Sequence, residues 1–179
     1  MVFKNINKTQ VIKKLEKKKK RLQRKCSRKY EMNKIGDKFV KTNNIIKLEK
    51  QIKLIDRKLT NIRENYIYQT INTIIKEKPY RITMEDLNVE GMKKNKHLSK
   101  AISNQKFAEF IRIMEYKCEW MNIEFVQADR FYPSSKTCSC CGHIKKDLKL
   151  KDRTYICSEC GLEIDGDFNA SINLMNYKK

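Results

Sequence analysis

The chain of 179 residues contains no apolar run near the length of about 18 residues that a membrane-spanning helix requires. It also shows no secretory leader. Acidic residues are scarce, because 21 Asp and Glu stand against 41 Lys and Arg, and the formal net charge is +20. This imbalance excludes an ordinary solvated surface and predicts a polyanionic partner, most simply nucleic acid, with an anionic membrane surface as the alternative. The length allows one ordinary domain and a small appended module.

Four of the seven cysteines form two C-x-x-C pairs, Cys138/Cys141 and Cys157/Cys160. A glycine follows each pair, and glycine can adopt the positive φ that turns backbone amides toward the thiolates. This spacing is typical of a zinc ribbon and predicts that the four cysteines bind one structural Zn²⁺. The alternatives are two disulfides or four unrelated core cysteines, which the absence of a secretory leader disfavours.

The remaining cysteines are Cys26, Cys118 and Cys140. Cys140 lies inside the first pair and is a competing ligand. We assign the role to Cys141, because the glycine after it matches the glycine after Cys160. Cysteines arranged as metal ligands predict a reducing compartment, and therefore a cytoplasmic protein. The positive charge predicts that this protein is bound to nucleic acid.

A strongly basic helix is predicted near the start of the chain, since eleven of the seventeen residues from Lys13 to Lys29 are Lys or Arg. A thin apolar row (Ile12, Leu15, Leu22 and Cys26) recurs through it at helical spacing. The alternative is a solvated coiled-coil face, but such faces mix both signs of charge, and Glu16 is the one acid in this run. The predicted contacts to nucleic acid are Lys17, Lys18, Lys20, Arg21, Arg24, Lys25, Arg28 and Lys29.

A second helix is predicted from about Asn43 to Glu77, before Pro79. Its apolar residues alternate at spacings of three and four, which defines one continuous seam. Asn33 and Gly36 interrupt the chain between the two helices. The seam is consistent with an antiparallel helical hairpin or with a free coiled-coil dimer, and the sequence does not decide between them.

A strand–helix–strand unit follows. Strands are predicted at residues 80–84 and 123–128, with a helix at 105–121 between them, so the strands are expected to be parallel and adjacent. Residues 91–104 are basic and polar, which is typical of a mobile loop. A closing helix is predicted at residues 168–176.

Two carboxylates occupy positions that suit a catalytic site. Glu85 ends the first strand, where open α/β sheets place their sites, and Asp167 precedes the last helix. Phosphodiester hydrolysis needs carboxylates from separate elements to hold two divalent ions about 3.5–4 Å apart. Oxygen ligands suit Mg²⁺ or Mn²⁺. The alternatives are a surface acid at Glu85 and a helix cap at Asp165 or Asp167.

Several motifs occur together in one order: L-Q-R-K-C-S-R-K, E-D-L-N-V, Y-P-S-S-K-T-C-S-C-C-G, C-S-E-C-G and D-G-D-F-N-A-S-I-N. Their order and spacing resemble the TnpB (OrfB) family of insertion-sequence proteins, relatives of the compact type V CRISPR effectors. The resemblance implies an RNase H-like (RuvC) nuclease domain with an inserted zinc ribbon. It also implies an RNA-guided, Mg²⁺-dependent DNA endonuclease with an Asp-Glu-Asp triad. Glu85 matches the second carboxylate, Asp167 the third, and the four paired cysteines the zinc ligands.

The chain also departs from this pattern. The family's first aspartate lies in a G-I-D-x-G strand, and residues 1–11 contain no such motif. Gly166 stands where many relatives carry arginine. We therefore expect a carboxyl-terminal portion: an α/β, incomplete RNase H-like (RuvC) domain with a long helical hairpin and an inserted four-cysteine zinc ribbon. The unpaired sheet edge is expected to cost stability or to favour association, including homo-oligomers.

The expected organisation is a basic helical hairpin at 1–78, a strand–helix–strand core at 79–130, the zinc ribbon at 131–163 and a final segment at 164–179. The expected partners are DNA and a guide RNA, with no membrane. One hypothesis is a nuclease portion that is catalytically deficient alone. A second is a non-catalytic zinc-ribbon remnant that binds nucleic acid. A third, an unrelated zinc-ribbon protein, is disfavoured by the motifs.

Overall fold

The computed structural model describes residues 3–149 and 152–178. The chain divides into two compact units. The first unit comprises Met1–Thr73 and Lys100–Phe110, and the second comprises Ile74–Ser99 and Ile111–Lys179.

The first unit is built mainly on two long helices. A 3-10 turn at Ile6–Lys8 leads into helix α1, Gln10–Met32. A short antiparallel hairpin of β1, Lys34–Ile35, and β2, Lys38–Phe39, then turns the chain through Gly36, whose φ is +58°. Helix α2 follows as Asn43–Lys76. The turn needs the left-handed region that glycine adopts without steric cost, so the predicted interruption is a tight reversal.

Helices α1 and α2 pack against each other as an antiparallel hairpin. Ile12, near the start of α1, is buried with Ile55 and Leu59 of α2. Cys26, near the end of α1, is buried with Ile45 and Leu48, at the start of α2. The seam is therefore filled within one chain, which is the first of the two arrangements that the sequence allowed. Each fully buried side chain of this size contributes about 1.5–3 kcal/mol relative to exposure.

Polar contacts tie the entrance of α1 to the same hairpin. Arg63 of α2 is 9% exposed, and its guanidinium donates to Asn7 Oδ1 at 2.8 Å and to Glu16 Oε1 at 3.0 Å. Asn7 precedes α1, and Glu16 lies in its first half. Because a buried guanidinium needs partners for its donors, these contacts fix where α1 starts relative to α2.

The strand–helix–strand unit is present. Strand β3 is Arg81–Glu85, helix α3 is Val89–Lys94, helix α4 is Lys96–Gln105, helix α5 is Phe107–Trp120 and strand β4 is Glu124–Ala128. The strands β3 and β4 pair in parallel, with Arg81 opposite Glu124 and Glu85 opposite Ala128. This confirms the expected parallel, adjacent strands. The structure shows a mixed α/β fold, while the RNase H-like assignment stays a prediction.

The expectation of a mobile loop at residues 91–104 is wrong, because α3 and α4 cover this segment. The Asn88 side chain accepts a hydrogen bond from Gly91 N at 2.9 Å, and the Asn95 side chain accepts one from His97 N at 3.0 Å. Each asparagine thus satisfies an amide that a helix start leaves without an intrahelical partner. Ile102 gives α4 one buried side chain. The density of lysines in this segment concealed both start signals.

The last part of the chain is a small antiparallel ribbon followed by a helix. Strand β5, Thr154–Ile156, pairs with strand β6, Glu163–Asp165, and helix α6 is Gly166–Met175. Asp165 accepts a hydrogen bond from Phe168 N at 3.0 Å, so Asp165 is the helix cap and α6 starts two residues before the predicted position. Across the described ranges, none of the helices has the length and apolarity that crossing a membrane requires.

Candidate functional site: a four-cysteine cluster beside two carboxylates

The four paired cysteines converge on one point. Their sulfur atoms all lie within 4.8 Å of one another. The separation is 3.6 Å for Cys138 and Cys160, and also for Cys141 and Cys157. These distances exceed the S–S bond of about 2.05 Å, and every cysteine is a free thiol. The cluster therefore has the geometry to hold one metal ion, and the disulfide alternative is excluded.

Two similar turns produce this convergence. Gly142 and Gly161 have φ of +78° and +72°, and their amides donate to the carbonyl oxygens of Cys138 and Cys157 at 3.0 and 3.2 Å. No atom lies within 4 Å of where a Cβ would stand, so the positive φ, rather than space, requires glycine at both positions. Cys140 lies outside the cluster of four and is exposed, as the assignment of Cys141 requires.

The electrostatics of the cluster favour a thiolate at Cys157, whereas at Cys160 the hydrogen bond from the Leu162 N–H is outweighed by burial and by the neighbouring thiols, which raise the pKa to about 12. The backbone N–H of Cys160 donates to the Cys157 sulfur and lowers the pKa of that thiol to about 6. Tyr155 is fully buried beneath the cluster, where it packs with Cys138 and Cys157. Burial, and then the charges of the neighbouring cysteines, raise the pKa of Tyr155 to about 12. Its hydroxyl donates to the Lys136 carbonyl at 3.1 Å, which sequence reasoning did not anticipate.

Glu85 lies where the sequence predicted, at the carboxyl end of β3. Its Oε1 accepts a hydrogen bond from the Ser134 hydroxyl at 2.6 Å. Because Glu85 stands opposite Ala128 in the parallel pair, Asp129 follows at the same edge of the sheet. The backbone N–H of Asp129 donates to the Tyr177 hydroxyl at 3.2 Å. A hydrogen bond to the Asp129 carboxylate, and then burial, raise the pKa of the Tyr177 hydroxyl.

Asp167 is exposed in the first turn of α6. It lines an open groove of about 280 Å³ together with Lys136, Lys149 and Arg153. Within residues 3–149 and 152–178, no group of three or more His, Cys, Asp or Glu ligands includes Asp167 or Glu85. Both carboxylates are thus exposed, and among the described residues neither belongs to a group of three possible ligands.

Two asparagines of α6 are functional candidates that sequence reasoning missed. Asn169 is 0% exposed and Asn173 is 6% exposed. Asn169 Nδ2 donates to the Thr137 carbonyl at 2.7 Å, and Asn169 Oδ1 accepts from Ser139 N at 2.9 Å. Asn173 Nδ2 donates to the carbonyls of Ser134 and Thr137 at 2.8 and 2.7 Å. The available signal was their spacing of four, which places two amides on one helix face.

The basic residues of α1 form an exposed surface. Lys19 pairs with Asp56, and Glu16 pairs with Arg63. Among the described residues, none of the eight predicted contacts forms an ion pair; seven of the eight are exposed and Lys29 is half-buried. An open groove of about 390 Å³ on this surface is lined by Lys14, Lys17, Lys18, Lys20, Arg21 and Arg24.

The segment that contains the cysteine cluster is similar to known proteins. Residues 107–174 match the family model "Cas12f1-like, TNB domain". A Streptomyces pristinaespiralis protein, named as a candidate RNA-guided DNA endonuclease, is 33% identical over 129 residues, covering 72% of this chain and 32% of that protein. InsQ of Escherichia coli K12, named in the same way, is 28% identical over 189 residues, covering 97% of this chain and 44% of InsQ.

Two solved structures share the fold. One is described as the cryo-EM structure of the Cas12f1-sgRNA-target DNA complex, with a TM-score of 0.57, 21% identity, and coverage of 93% of this chain and 42% of that chain. The other is described as the cryo-EM structure of a CRISPR-Cas12f ternary complex, with a TM-score of 0.61, 23% identity, and coverage of 93% and 32%.

The fold and the cysteine cluster therefore define the class: a mixed α/β chain of the Cas12f1 structural type with a four-cysteine candidate metal site. The resemblance to the TnpB family is confirmed, since the chain is similar in sequence to InsQ, to the Streptomyces protein and to a Cas12f1. The chain spans about a third of the length of the Streptomyces relative.

Proposed function

We propose that this chain is the portion of a TnpB-type, RNA-guided DNA endonuclease that carries the zinc ribbon, two active-site carboxylates and a basic nucleic-acid surface. The observation that carries the proposal is the cluster of four cysteine sulfurs, which lies inside the segment that matches the Cas12f1-like TNB model. Organisation into a hairpin at 1–78, a core at 79–130, a ribbon at 131–163 and a final segment at 164–179 is part of the same proposal.

The metal proposed for the cysteine cluster is zinc. Zn²⁺ prefers four thiolates in a tetrahedron, and a site closed by four protein ligands has no open position for substrate. The depressed pKa of Cys157 and the two glycine turns fit this role. The ion is therefore structural, and it holds together a ribbon whose described core is small: Tyr155 with its apolar neighbours.

The proposed partners are DNA and RNA, bound in part by α1. Its eight exposed or half-buried cations follow one helix, and none of them is paired with an acid in the described part of the chain. Because each phosphate contact releases condensed counterions, such a surface binds either nucleic acid without reading its sequence. The seven free thiols fit a reducing, DNA-containing compartment such as the cytoplasm.

Glu85 and Asp167 are proposed as ligands of Mg²⁺ or Mn²⁺ in an RNase H-like site. A bound divalent ion supplies activation of the attacking water and stabilisation of the leaving oxygen. The contribution of this chain is to present the two carboxylates from β3 and α6, with the Ser134 hydroxyl orienting Glu85. The third carboxylate is the aspartate that the resemblance places in G-I-D-x-G, which residues 1–11 do not contain. The chain alone is therefore proposed to be catalytically deficient.

Association through the sheet is a further part of the proposal. Strand β3 pairs only with β4 among the described residues, and its residues Arg81 to Met84 are half-buried rather than buried. A parallel strand with an open edge can add another strand there. A second copy of the chain, or the segment that carries the missing aspartate, would occupy that edge.

The alternative function is a non-catalytic remnant that binds nucleic acid. It is favoured by one observation: Glu85 and Asp167 lie outside any cluster of three ligands in the described residues.

A chimera separates the two functions. This chain would be joined to the part of the Streptomyces relative that it does not cover, and Mg²⁺-dependent cleavage of guided DNA would be measured. The nuclease proposal expects cleavage that Glu85→Ala and Asp167→Ala each abolish, whereas the remnant expects none.

A further inference from the structure

The chain segment at residues 134–139, here called the knuckle loop, connects the carboxylate region with the cysteine cluster. At its start, the Ser134 hydroxyl donates to Glu85 Oε1 at 2.6 Å. Near its end, Cys138 is one of the four clustered cysteines, and its N–H donates to the His143 carbonyl at 2.8 Å. The loop therefore links Glu85, at one end, to the first pair of cysteines, at the other.

Helix α6 holds this loop through side-chain amides. Asn173 uses both donors of one amide nitrogen on loop carbonyls, those of Ser134 and Thr137. Asn169 donates to the same Thr137 carbonyl and accepts from the Ser139 N–H. An amide offers two N–H donors and an acceptor without carrying charge, whereas a hydroxyl has a single donor. A carboxylate in its place would face the carbonyl oxygens with no hydrogen.

The burial of these groups makes the contacts selective for one loop conformation. Asn169, Asn173 and Ser134 are 0%, 6% and 4% exposed, so water cannot replace a lost partner at little cost. The same helix carries Asp167 in its first turn. Hydrogen bonds thus join the loop to α6, which carries Asp167, and to Glu85.

We propose that Asn169 and Asn173 are positioning residues that lock the knuckle loop to α6, and that Ser134 passes this position to Glu85. The inference rests on the proposed function for its Glu85 part only. Its consequence is that the cysteine cluster and the carboxylates are positioned by one element. Removing the hydrogen bonds of the two asparagine amides should loosen both the cysteine cluster and the carboxylates. Removing the Ser134 hydroxyl should loosen only Glu85.

The test uses the full, zinc-loaded chain and six variants at four positions. Asn173→Asp removes the donors with almost no change in shape, and Asn173→Leu removes them without adding charge. Asn169→Asp keeps the acceptor for Ser139 but loses the donor. Ser134→Ala breaks the link to Glu85, and Ser134→Thr retains a hydroxyl. Ser171→Ala is the matched control, because Ser171 is exposed on the same helix and its hydroxyl donates only to Phe168 of α6 in the described contacts.

Three quantities are measured: deuterium uptake by the backbone of residues 134–142, the rate of zinc release to a chelator, and Mn²⁺ affinity. Both Asn173 variants are expected to raise uptake, to speed zinc release about 10-fold and to weaken Mn²⁺ binding about 10-fold, as outer partners of metal ligands do. Asn169→Asp should show smaller changes in the same direction. Ser134→Ala should weaken Mn²⁺ binding alone, and Ser134→Thr should restore it.

Asn173 variants that match Ser171→Ala in loop uptake and zinc release would overturn the inference. The inference would also be overturned if Ser134→Ala speeds zinc release as much as Asn173→Leu does. The Ser134 hydroxyl would then hold the whole loop, and not only Glu85. The carboxylate part of the proposed function fails if the unchanged chain binds no Mn²⁺, or if Glu85→Gln does not weaken Mn²⁺ binding. Loop uptake and zinc release then decide the positioning role by themselves.

Discussion

The sulfur atoms of Cys138 and Cys160 lie 3.6 Å apart, although 22 positions separate the two residues in the sequence. Thiols at this distance can coordinate one ion together, so purified protein is expected to contain about one zinc per chain. Cys138→Ser or Cys160→Ser should release the metal and unfold the ribbon, because the binding energy of such a site is folding energy. Elemental analysis with a thiol count measures this.

Cys140 is the internal control for the zinc prediction. It lies between two ligands in the sequence but outside the cluster, so Cys140→Ser should leave the zinc content unchanged. A metal-free protein whose residues 130–170 remain folded would contradict the prediction.

The basic surface of α1 predicts salt-sensitive binding to DNA and RNA without strong sequence preference. Affinity should fall steeply between about 50 and 200 mM salt. Replacing Lys17, Arg21 and Arg24 by Gln should weaken binding and make the logarithmic salt dependence on duplex DNA shallower by up to about 2.7, since each phosphate contact contributes about 0.9. Fluorescence anisotropy titrations at several salt concentrations measure both quantities.

Three exposed cations of α2, Lys50, Arg57 and Lys58, provide a matched control with the same change in net charge. Their replacement by Gln should have a smaller effect than the α1 variant. Equal effects would show that net charge, and not the α1 surface, determines affinity.

Catalysis by the isolated chain is predicted to be absent. Two-metal cleavage needs enough anionic ligands to hold both ions, and Glu85 and Asp167 supply only two carboxylates. Single-stranded and duplex DNA should therefore remain intact with Mg²⁺ or Mn²⁺ while still binding to the protein. Product formation that disappears in the Glu85→Ala/Asp167→Ala double variant would show that another acid, such as Asp129, completes the site.

The helical hairpin gives a prediction on stability from two adjacent isoleucines. Ile45 is 0% exposed in the seam, whereas Ile46 is 37% exposed. Ile45→Ala should lower the free energy of unfolding of the hairpin by about 2–5 kcal/mol, because it removes buried methyl groups and leaves a cavity. Ile46→Ala should cost well under half of that. Denaturant titrations of the two variants, followed by helical circular dichroism, compare them; equal losses would argue against the packing of α1 on α2.

The sequence predicted those elements whose signal is local. The spacing of Ile45, Leu48 and Ile55 defined the seam, and the two C-x-x-C-G turns defined the cluster, because each is determined within a few residues. The start of α4 was missed although Asn95 is a good cap, since the surrounding lysines resemble a loop. Helix propensity is a weak predictor of where a helix begins when a single side-chain hydrogen bond determines the start.

Other parts of the site depend on contacts that no local pattern encodes. Asn173 and its partner Ser134 are 39 positions apart, and Glu85 and Ser134 are 49 apart. The packing of α6 beside the sheet determines these contacts. It brings the asparagine amides of α6 to the knuckle loop, and the loop's Ser134 hydroxyl to Glu85. A motif can mark these residues, but their partners follow only from the fold.

The length of α1 sets a scale for the encounter with a duplex. At about 1.5 Å per residue, its 23 residues extend for about 35 Å. One turn of B-form DNA has nearly the same length, about 34–36 Å. A duplex lying along this helix is therefore contacted over roughly one turn, and the cations of α1 alone would protect a footprint of about ten base pairs. Successive chains bound through α1 along the same face of one DNA molecule are therefore expected to lie at least about ten base pairs apart.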